Sequence, residues 1–190
     1  LTIHEFVGHP TELDRVLGFE SNFAGTSFAT TEKLGNFKYG SKLVNFVGDN
    51  TLPYGLATWG YDDEGVKGRK FDIVRDGVLV GYGTSREVAS EIGLDYSTGS
   101  CRADYYYNTP IVRIPNLCLM PGSKPLSPDE IIADTKDGIY IEGRGSYSID
   151  QRRYNFQFGG DAFWEIKNGR KTRMLKNVTY QSITPEFWGS

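Results

Sequence analysis

The chain has 190 residues, 38% of them hydrophobic, which is enough for a single folded domain over residues 1–190. Its 21 basic residues are interspersed among 24 acidic ones and the net charge is −3, so no basic block indicates a nucleic-acid partner. No apolar run approaches the roughly 20 residues that cross a bilayer, and two cysteines are too few for a disulfide framework. These features predict a cytoplasmic protein without membrane or nucleic-acid partners.

The first predicted element is a helix that runs to about Leu17 and ends at Gly18. Glycine commonly terminates helices because it adopts left-handed backbone angles without strain. The apolar pattern begins at Leu1 itself, with only Thr2 available as an N-cap. We therefore expect the chain to begin inside or at the edge of a helix, as a fragment or a processed product.

Strands and tight turns dominate the middle of the chain. Residues 42–47 form one strand candidate, and the stretch KFDIVRDGVLVGY places two alternating apolar runs around Asp76-Gly77. Asp-Gly between such runs predicts a type I′ hairpin. A short helix is predicted from Thr84 to Ile92, followed by a polar, tyrosine-rich loop over residues 95–110.

The second half begins with a strong helix signal at Ser127-Pro128-Asp129-Glu130. Serine at the N-cap, proline at the first helical position and glutamate at the third predict a capping box. The remaining sequence predicts a meander of antiparallel strands with turns at Gly159-Gly160 and Asn168-Gly169. Three short helices against seven to nine strands indicate an α+β fold, mostly antiparallel sheet, curled and barrel-like.

The candidate chemistry lies in the stretch HEFVGHPTELD near the amino terminus. His4 and His9 are the only histidines of the chain. In a regular helix, residues five apart differ by about 140° around the axis, whereas residues four apart differ by about 40°. The two imidazoles can converge on a metal only if the helix widens locally, as in a π-bulge with its i→i+5 hydrogen bonds.

The sequence offers a cause for such a bulge. Pro10 has no N–H and its ring crowds the carbonyl of Phe6, four residues earlier. Gly8 makes a local distortion sterically cheap. The pattern is therefore compatible with a two-histidine metal site on one helix, although two solvated histidines on a surface helix would give the same pattern.

Three carboxylates accompany the histidines. Glu5 follows the first histidine, where metallopeptidases place the general base that takes a proton from the water activated by the metal. Glu12 and Asp14 lie downstream, where they could ligate the metal or hold an imidazole N–H.

The stretch HEFVGHPTELD resembles the H-E-x-x-x-H-x-x-E-x-D signature of the TldD/PmbA family of metallopeptidases. Three further segments also resemble segments of the family and occur in the same order: YDDEGVKGRKFDIVRDGVLVGY, PIVRIPNLCLMPGSKPLSPDEII and the terminal VTYQSITPEFWGS. The resemblance covers essentially the whole chain and corresponds to the carboxyl-terminal domain of these proteins.

The resemblance implies roles for individual residues. His4 and His9 would be zinc ligands and Glu5 the catalytic base, as in the TldD-type members, whereas the PmbA-type partner subunits lack the motif. The family's third ligand is a cysteine in a Gly-rich segment near the end of the protein. Neither Cys101 nor Cys118 lies in such a context, so we expect that ligand beyond residue 190.

Two functions follow from these observations. The first is a zinc peptidase that hydrolyses extended or unfolded peptides, acting as a homodimer or as a heterodimer with a family paralogue. The second is a non-catalytic peptide-binding or partner subunit of such a complex. The presence of His4, Glu5 and His9 together favours the first, because a partner subunit has no reason to keep all three. Elsewhere, Tyr105-Tyr106-Tyr107 with Arg102 and Arg113 could line a peptide groove, although the sheet-edge preference and packing of aromatic residues explain them better.

Overall fold

The structure, a computed structural model, describes residues 2–190. The chain folds into two compact units. The first comprises the residues up to Met120 together with Asp150–Tyr154 and Ile183–Ser190, and the second comprises Pro121–Ile149 and Asn155–Ser182. Within residues 2–190, no helix is long and apolar enough to cross a membrane.

Helices are short. The three α-helices are α1 (Leu13–Val16), α2 (Pro128–Asp134) and α3 (Thr184–Gly189). A π-helical turn spans His4–Gly8, and 3₁₀ turns span His9–Thr11, Thr31–Lys33 and Ala89–Ile92.

The strands are β1 (Phe46–Asp49), β2 (Lys70–Arg75), β3 (Val78–Leu79), β4 (Cys101–Arg102), β5 (Ile111–Val112), β6 (Leu117–Leu119), β7 (Asp137–Glu142), β8 (Tyr147–Ile149), β9 (Asn155–Phe158), β10 (Ala162–Lys167), β11 (Arg170–Leu175) and β12 (Tyr180–Ile183). They form sheets in the orders β3-β2-β1-β6, β11-β10-β7, β12-β9-β8 and β4-β5. The α+β class with mostly antiparallel sheet is confirmed. The curled, barrel-like sheet is wrong, because the strands of residues 2–190 divide among four small open sheets.

Local turn and cap signals in the sequence are reproduced. Asp76 and Gly77 adopt positive φ angles of 49° and 76°, as a type I′ turn between β2 and β3 requires. At the start of α2, the Ser127 hydroxyl accepts the Glu130 N–H, and the Glu130 carboxylate accepts the Ser127 N–H. The capping box is therefore confirmed.

Three sequence predictions need correction. The strand predicted at residues 42–47 begins at Phe46, because the Val44 N–H closes a turn onto the Ser41 carbonyl. The helix predicted from Thr84 shortens to the turn Ala89–Ile92, because Thr84 instead bonds the Thr98 backbone and hydroxyl.

The predicted meander is also wrong. Although β8 pairs with β9, and β10 with β11, the chain does not form a hairpin at Gly159-Gly160. It passes there from one sheet to another, and β10 pairs with β7, with Ala162 opposite Glu142 and Lys167 opposite Asp137.

A single apolar core holds the first unit together and fixes the amino-terminal segment. Val7 and Leu13 are fully buried in it. Their partners come from distant parts of the chain and include Phe28, Phe46, Ile73, Leu79, Tyr82 and Val112. Burying each such side chain contributes about 1.5–3 kcal/mol, so this packing sets the position of the turn that carries the histidines.

Gly77 is expected to be the residue of the hairpin least tolerant of substitution. A Cβ there would overlap the carbonyl oxygens of Gly40 and Ser41, in addition to the strain of φ +76°. We expect Gly77→Ala to lower the free energy of unfolding by about 3 kcal/mol. Gly35 is the matched control: it has φ +80° but open space around it, so Gly35→Ala should cost only about 1 kcal/mol. Urea unfolding measures both, and equal losses would contradict the steric explanation.

Candidate metal centre

The turn predicted from the histidine spacing is present. The His9 N–H donates to the His4 carbonyl across five residues, which defines a π-helical turn. The wider turn rotates His9 back toward His4, so that the two ring centroids lie 4.7 Å apart with their planes at 80°. Two histidines that would diverge on an α-helix therefore face one another.

The residues around Pro10 show how the turn is satisfied. Pro10 cannot donate to the Phe6 carbonyl, and the hydroxyl of buried Tyr39 donates to that oxygen instead. The Thr11 hydroxyl donates to the Val7 carbonyl at 2.6 Å. A Cβ at Gly8 would come within 2.8 Å of the Ile114 side chain, so this position also depends on glycine.

The orientation of His9 is fixed by a buried carboxylate. An oxygen of Glu12, a residue only 1% exposed, lies 2.8 Å from His9 Nδ1. Because an ionised carboxylate can only accept, Nδ1 carries the proton and Nε2 keeps a free lone pair. Nε2 is the atom that a neutral imidazole would offer to a metal ion.

Glu12 belongs to a buried charge network. The guanidinium of Arg15, a residue 1% exposed, lies 3.2 Å from Glu12 Oε2 and 3.1 Å from Glu20 Oε2. It also donates to the Ala24 carbonyl at 2.5 Å. The second oxygens of both glutamates face Arg113 Nη1, at 3.8 and 3.9 Å. The two buried glutamates thus face one buried arginine, Arg15, and one partly exposed arginine, Arg113.

Glu5 is held from the other end of the chain. Arg153 Nε donates to Glu5 Oε2 at 3.1 Å, whereas Glu5 Oε1 lies 3.9 Å from His4 Nε2. Arg153 adopts a left-handed φ of 61°, and its turn is closed by the Asp150 carboxylate, which accepts the Tyr154 N–H. One oxygen of Glu5 is therefore fixed and the other faces the histidines.

His4 is the more exposed of the two imidazoles, with 53% of its side chain accessible to solvent against 11% for His9. Partial burial and the neighbouring His9 lower the pKa of His4, which favours the neutral form that ligates metals. One ligand atom from each of His4, Glu5 and His9 lies within 4.8 Å of the others. Tetrahedral zinc with bonds near 2.0–2.1 Å separates two ligand atoms by about 3.4 Å, a distance that rotation of the exposed ring can reach.

Asp14 has a different role from Glu12. Its two oxygens accept the backbone N–H groups of Arg15 and Val112, at 2.7 and 3.0 Å. Burial raises the pKa of Asp14 to about 6, while these two hydrogen bonds act in the opposite direction. Asp14 therefore ties α1 to β5 and contacts the backbone, not an imidazole.

Neither cysteine of the chain lies beside the histidines. Cys101, expected in a loop, lies in β4 and is fully buried, where desolvation raises the pKa of its thiol. Atoms of Asp62, Glu64 and Cys101 lie within 4.8 Å of one another. The Asp62 carboxylate accepts three backbone N–H groups, including that of Cys101, which explains the cluster as a turn.

Comparison with known proteins agrees with this architecture. A family described as the PmbA/TldA metallopeptidase C-terminal domain matches residues 1–190. The chain belongs to this family.

Curated metalloproteases are also similar to this chain in sequence. A metalloprotease of Methanocaldococcus jannaschii is 38% identical over 93% of this chain and 36% of its own length. A metalloprotease TldD homologue of Haemophilus influenzae is 30% identical over 93% of this chain and 34% of its own length. A zinc metalloprotease TldD homologue of Saccharolobus solfataricus is 27% identical over 92% of this chain and 37% of its own length. The chain thus spans a little over a third of the length of these relatives.

Solved structures show the same fold. A Thermotoga maritima protein superposes with a TM-score of 0.81, at 21% identity, over 99% of this chain and 40% of its own. TldE of Thermococcus kodakarensis superposes with a TM-score of 0.75, at 20% identity, over 98% of this chain and 40% of its own.

The sequence did not reveal four of the charged residues that surround the histidines. Arg15 and Glu20 belong to no motif that predicts a site, and Arg113 is expected only as a candidate lining residue of a peptide groove. Arg153 lies 148 residues from its partner Glu5. A buried arginine needs a carboxylate partner, but nothing in the local pattern shows that Arg15 and Glu20 are buried. Nor does it show that Arg113 and Arg153 reach the carboxylates near the histidines.

Proposed function

We propose that this protein is the metal-binding domain of a zinc peptidase that hydrolyses extended or unfolded peptides. The observation that carries the proposal is the π-helical turn, which brings His4 and His9 together with Glu5 beside them. Arg153 binds one oxygen of Glu5, and the other oxygen lies 3.9 Å from His4 Nε2. Membership of a family whose relatives are named metalloproteases supports it.

His4 and His9 would hold the zinc ion, and the donor chemistry of this chain fits it. Glu12 keeps the proton of His9 on Nδ1, and the lowered pKa of His4 keeps that ring neutral. When bound, zinc lowers the pKa of a coordinated water and polarises a peptide carbonyl. A third ligand would come from a cysteine outside residues 1–190, as the family resemblance implies.

Glu5 is the general base in this proposal. Its Oε1 faces the imidazoles and takes the proton of the attacking water, while Arg153 holds Oε2. After attack, Glu5 delivers that proton to the leaving amine. Arg153 thus orients the Glu5 side chain through one carboxylate oxygen, and the other oxygen transfers the proton.

The peptide substrate and the partner subunit are part of the same proposal. The whole protein would act as a homodimer or as a heterodimer with a family paralogue, as the family resemblance implies. A non-catalytic partner subunit is the alternative. Such a subunit does not need a fixed Glu5 carboxylate. The contact between Glu5 and Arg153 therefore favours the catalytic role.

Removal of the metal tests the proposal. We expect a chelator to abolish hydrolysis of an unfolded peptide by the full-length protein, and stoichiometric Zn²⁺ to restore it, whereas Mg²⁺, which prefers oxygen ligands, should not. Cleavage is followed by mass spectrometry. Hydrolysis that continues in the chelated protein, after its zinc content has been measured as zero, would contradict the zinc mechanism.

A further inference from the structure

A second cavity lies in the first unit and contains none of the residues described at the metal centre. Its volume is about 740 Å³, which is in the range of ligand-binding sites. One wall is the stretch from Lys67 to Asp72, and the other is formed by Val80–Tyr82 and by residues 92–98. We call this cavity the basic groove.

Close backbone contacts bound the basic groove at both ends. Gly81 approaches so closely that a Cβ on it would overlap the Asp72 carbonyl. A Cβ on Gly99 would lie 2.7 Å from the Lys67 carbonyl. Close backbone contacts at Asp72 and Lys67 therefore limit the groove, which follows the start of β2 and the three residues before it.

The charge of the groove is opposite to that of the whole protein. Lys67, Arg69, Lys70 and Arg75 line it, and Asp72 is the single acidic lining residue. Arg75 pairs with Asp72. Among the ion pairs of residues 2–190, none involves the other three cations. A chain of net charge −3 thus places three cations without an ion-pair partner along one cavity.

The rest of the lining is apolar. Leu34, Val80, Ile92 and Leu94 are half-buried and face the same cavity as the cations. The ligand that fits both features carries negative charges and also apolar groups. A single phosphate would use only part of the groove, because the cations follow one another along the chain and do not surround one point.

The position of Arg69 favours a peptide over a nucleic acid as the ligand of the groove. Its guanidinium lies 4.6 Å from the centre of the Tyr96 ring and covers one face of it. Binding of single-stranded nucleic acid depends on exposed aromatic faces on which bases stack. Here the guanidinium covers one face of Tyr96, and the other two lining rings, Phe71 and Tyr82, are half-buried and buried. The aliphatic residues Leu34, Val80, Ile92 and Leu94 suit leucine- or valine-like side chains.

We infer that the basic groove binds an extended acidic peptide segment, in which Asp or Glu side chains alternate with aliphatic ones. The carboxylates pair with Lys67, Arg69 and Lys70, and the aliphatic side chains contact the apolar wall. Side chains of an extended peptide alternate in direction, so one segment can present both kinds of group. This binding does not need the metal and is separate from the proposed hydrolysis.

Fluorescence anisotropy with a labelled peptide of alternating Glu and Leu tests the inference. We expect the triple variant Lys67→Gln, Arg69→Gln, Lys70→Gln to weaken binding about tenfold or more, with each lost pair contributing a few-fold. The triple variant Lys124→Gln, Arg144→Gln, Arg170→Gln loses the same charge from exposed sites of the second unit and should bind as the unaltered protein does. Circular dichroism confirms that both variants fold.

Three outcomes would overturn the inference. The first is equal binding of the same peptide with Gln in place of Glu. The second is equal weakening by both triple variants, which would show a general charge effect. The third is displacement of the peptide by a single-stranded oligonucleotide at lower concentration. Peptide binding should be the same with and without a chelator, so failure of this inference and failure of the zinc mechanism are distinguishable.

Discussion

Glu5→Gln is expected to reduce peptide hydrolysis by about 10²–10⁴-fold while zinc remains bound, because the amide cannot accept the proton of the attacking water. The substitution keeps the size of the side chain and its ability to accept a hydrogen bond from Arg153. The effect should therefore fall on kcat. Single-turnover cleavage of an unfolded peptide, measured together with zinc content, gives both quantities.

Two further variants define the comparison for Glu5. Glu87→Gln changes an exposed carboxylate and should leave hydrolysis unchanged. Arg153→Gln should produce an intermediate loss, since Glu5 keeps its carboxylate but loses the contact that orients it. If Glu5→Gln retains full activity with zinc bound, Glu5 is not the base. If it loses zinc as well, its role is ligation.

Glu12→Ala is expected to have the largest effect on the folded state. It removes the partner of His9 Nδ1 and one of the two carboxylates that compensate the Arg15 guanidinium, which is 1% exposed. Breaking a buried ion pair from one side costs about 3–5 kcal/mol. Loss of the carboxylate that orients a ligating histidine weakens metal binding about 10–100-fold. Urea unfolding and competition with a zinc indicator measure the two effects.

A double variant separates the two roles of Glu12. Replacing both members of a buried pair with apolar residues is often neutral for stability, so Glu12→Leu with Arg15→Met should recover much of the lost free energy of unfolding. It should not recover zinc affinity, because His9 still lacks its partner. Recovery of both quantities together would show that Glu12 acts on zinc only through the stability of the fold.

The sequence was most informative where structure is decided by neighbouring residues. The Asp76-Gly77 hairpin and the Ser127 capping box depend on two to four consecutive residues, and both are present. The π-helical turn could be predicted for the same reason: the spacing from His4 to His9 and the missing N–H of Pro10 are local facts.

Features that depend on distant residues could not be predicted. Alternating apolar patterns in the second unit indicated strands but not partners, and β10 pairs with β7 across an intervening hairpin. At the metal centre, the distance from Glu5 to Arg153 is set by packing of the whole first unit. The same holds for Arg113, whose guanidinium reaches Glu12 and Glu20 from about 100 residues away in sequence.

Zinc X-ray absorption spectroscopy of the full-length protein tests the central claim most directly. The expected spectrum contains two imidazole nitrogens near 2.0–2.1 Å, with the multiple scattering of the rings reduced in His9→Ala. A zinc shell without imidazole nitrogens would contradict the assignment of His4 and His9 as ligands, and so would an unchanged spectrum in His9→Ala.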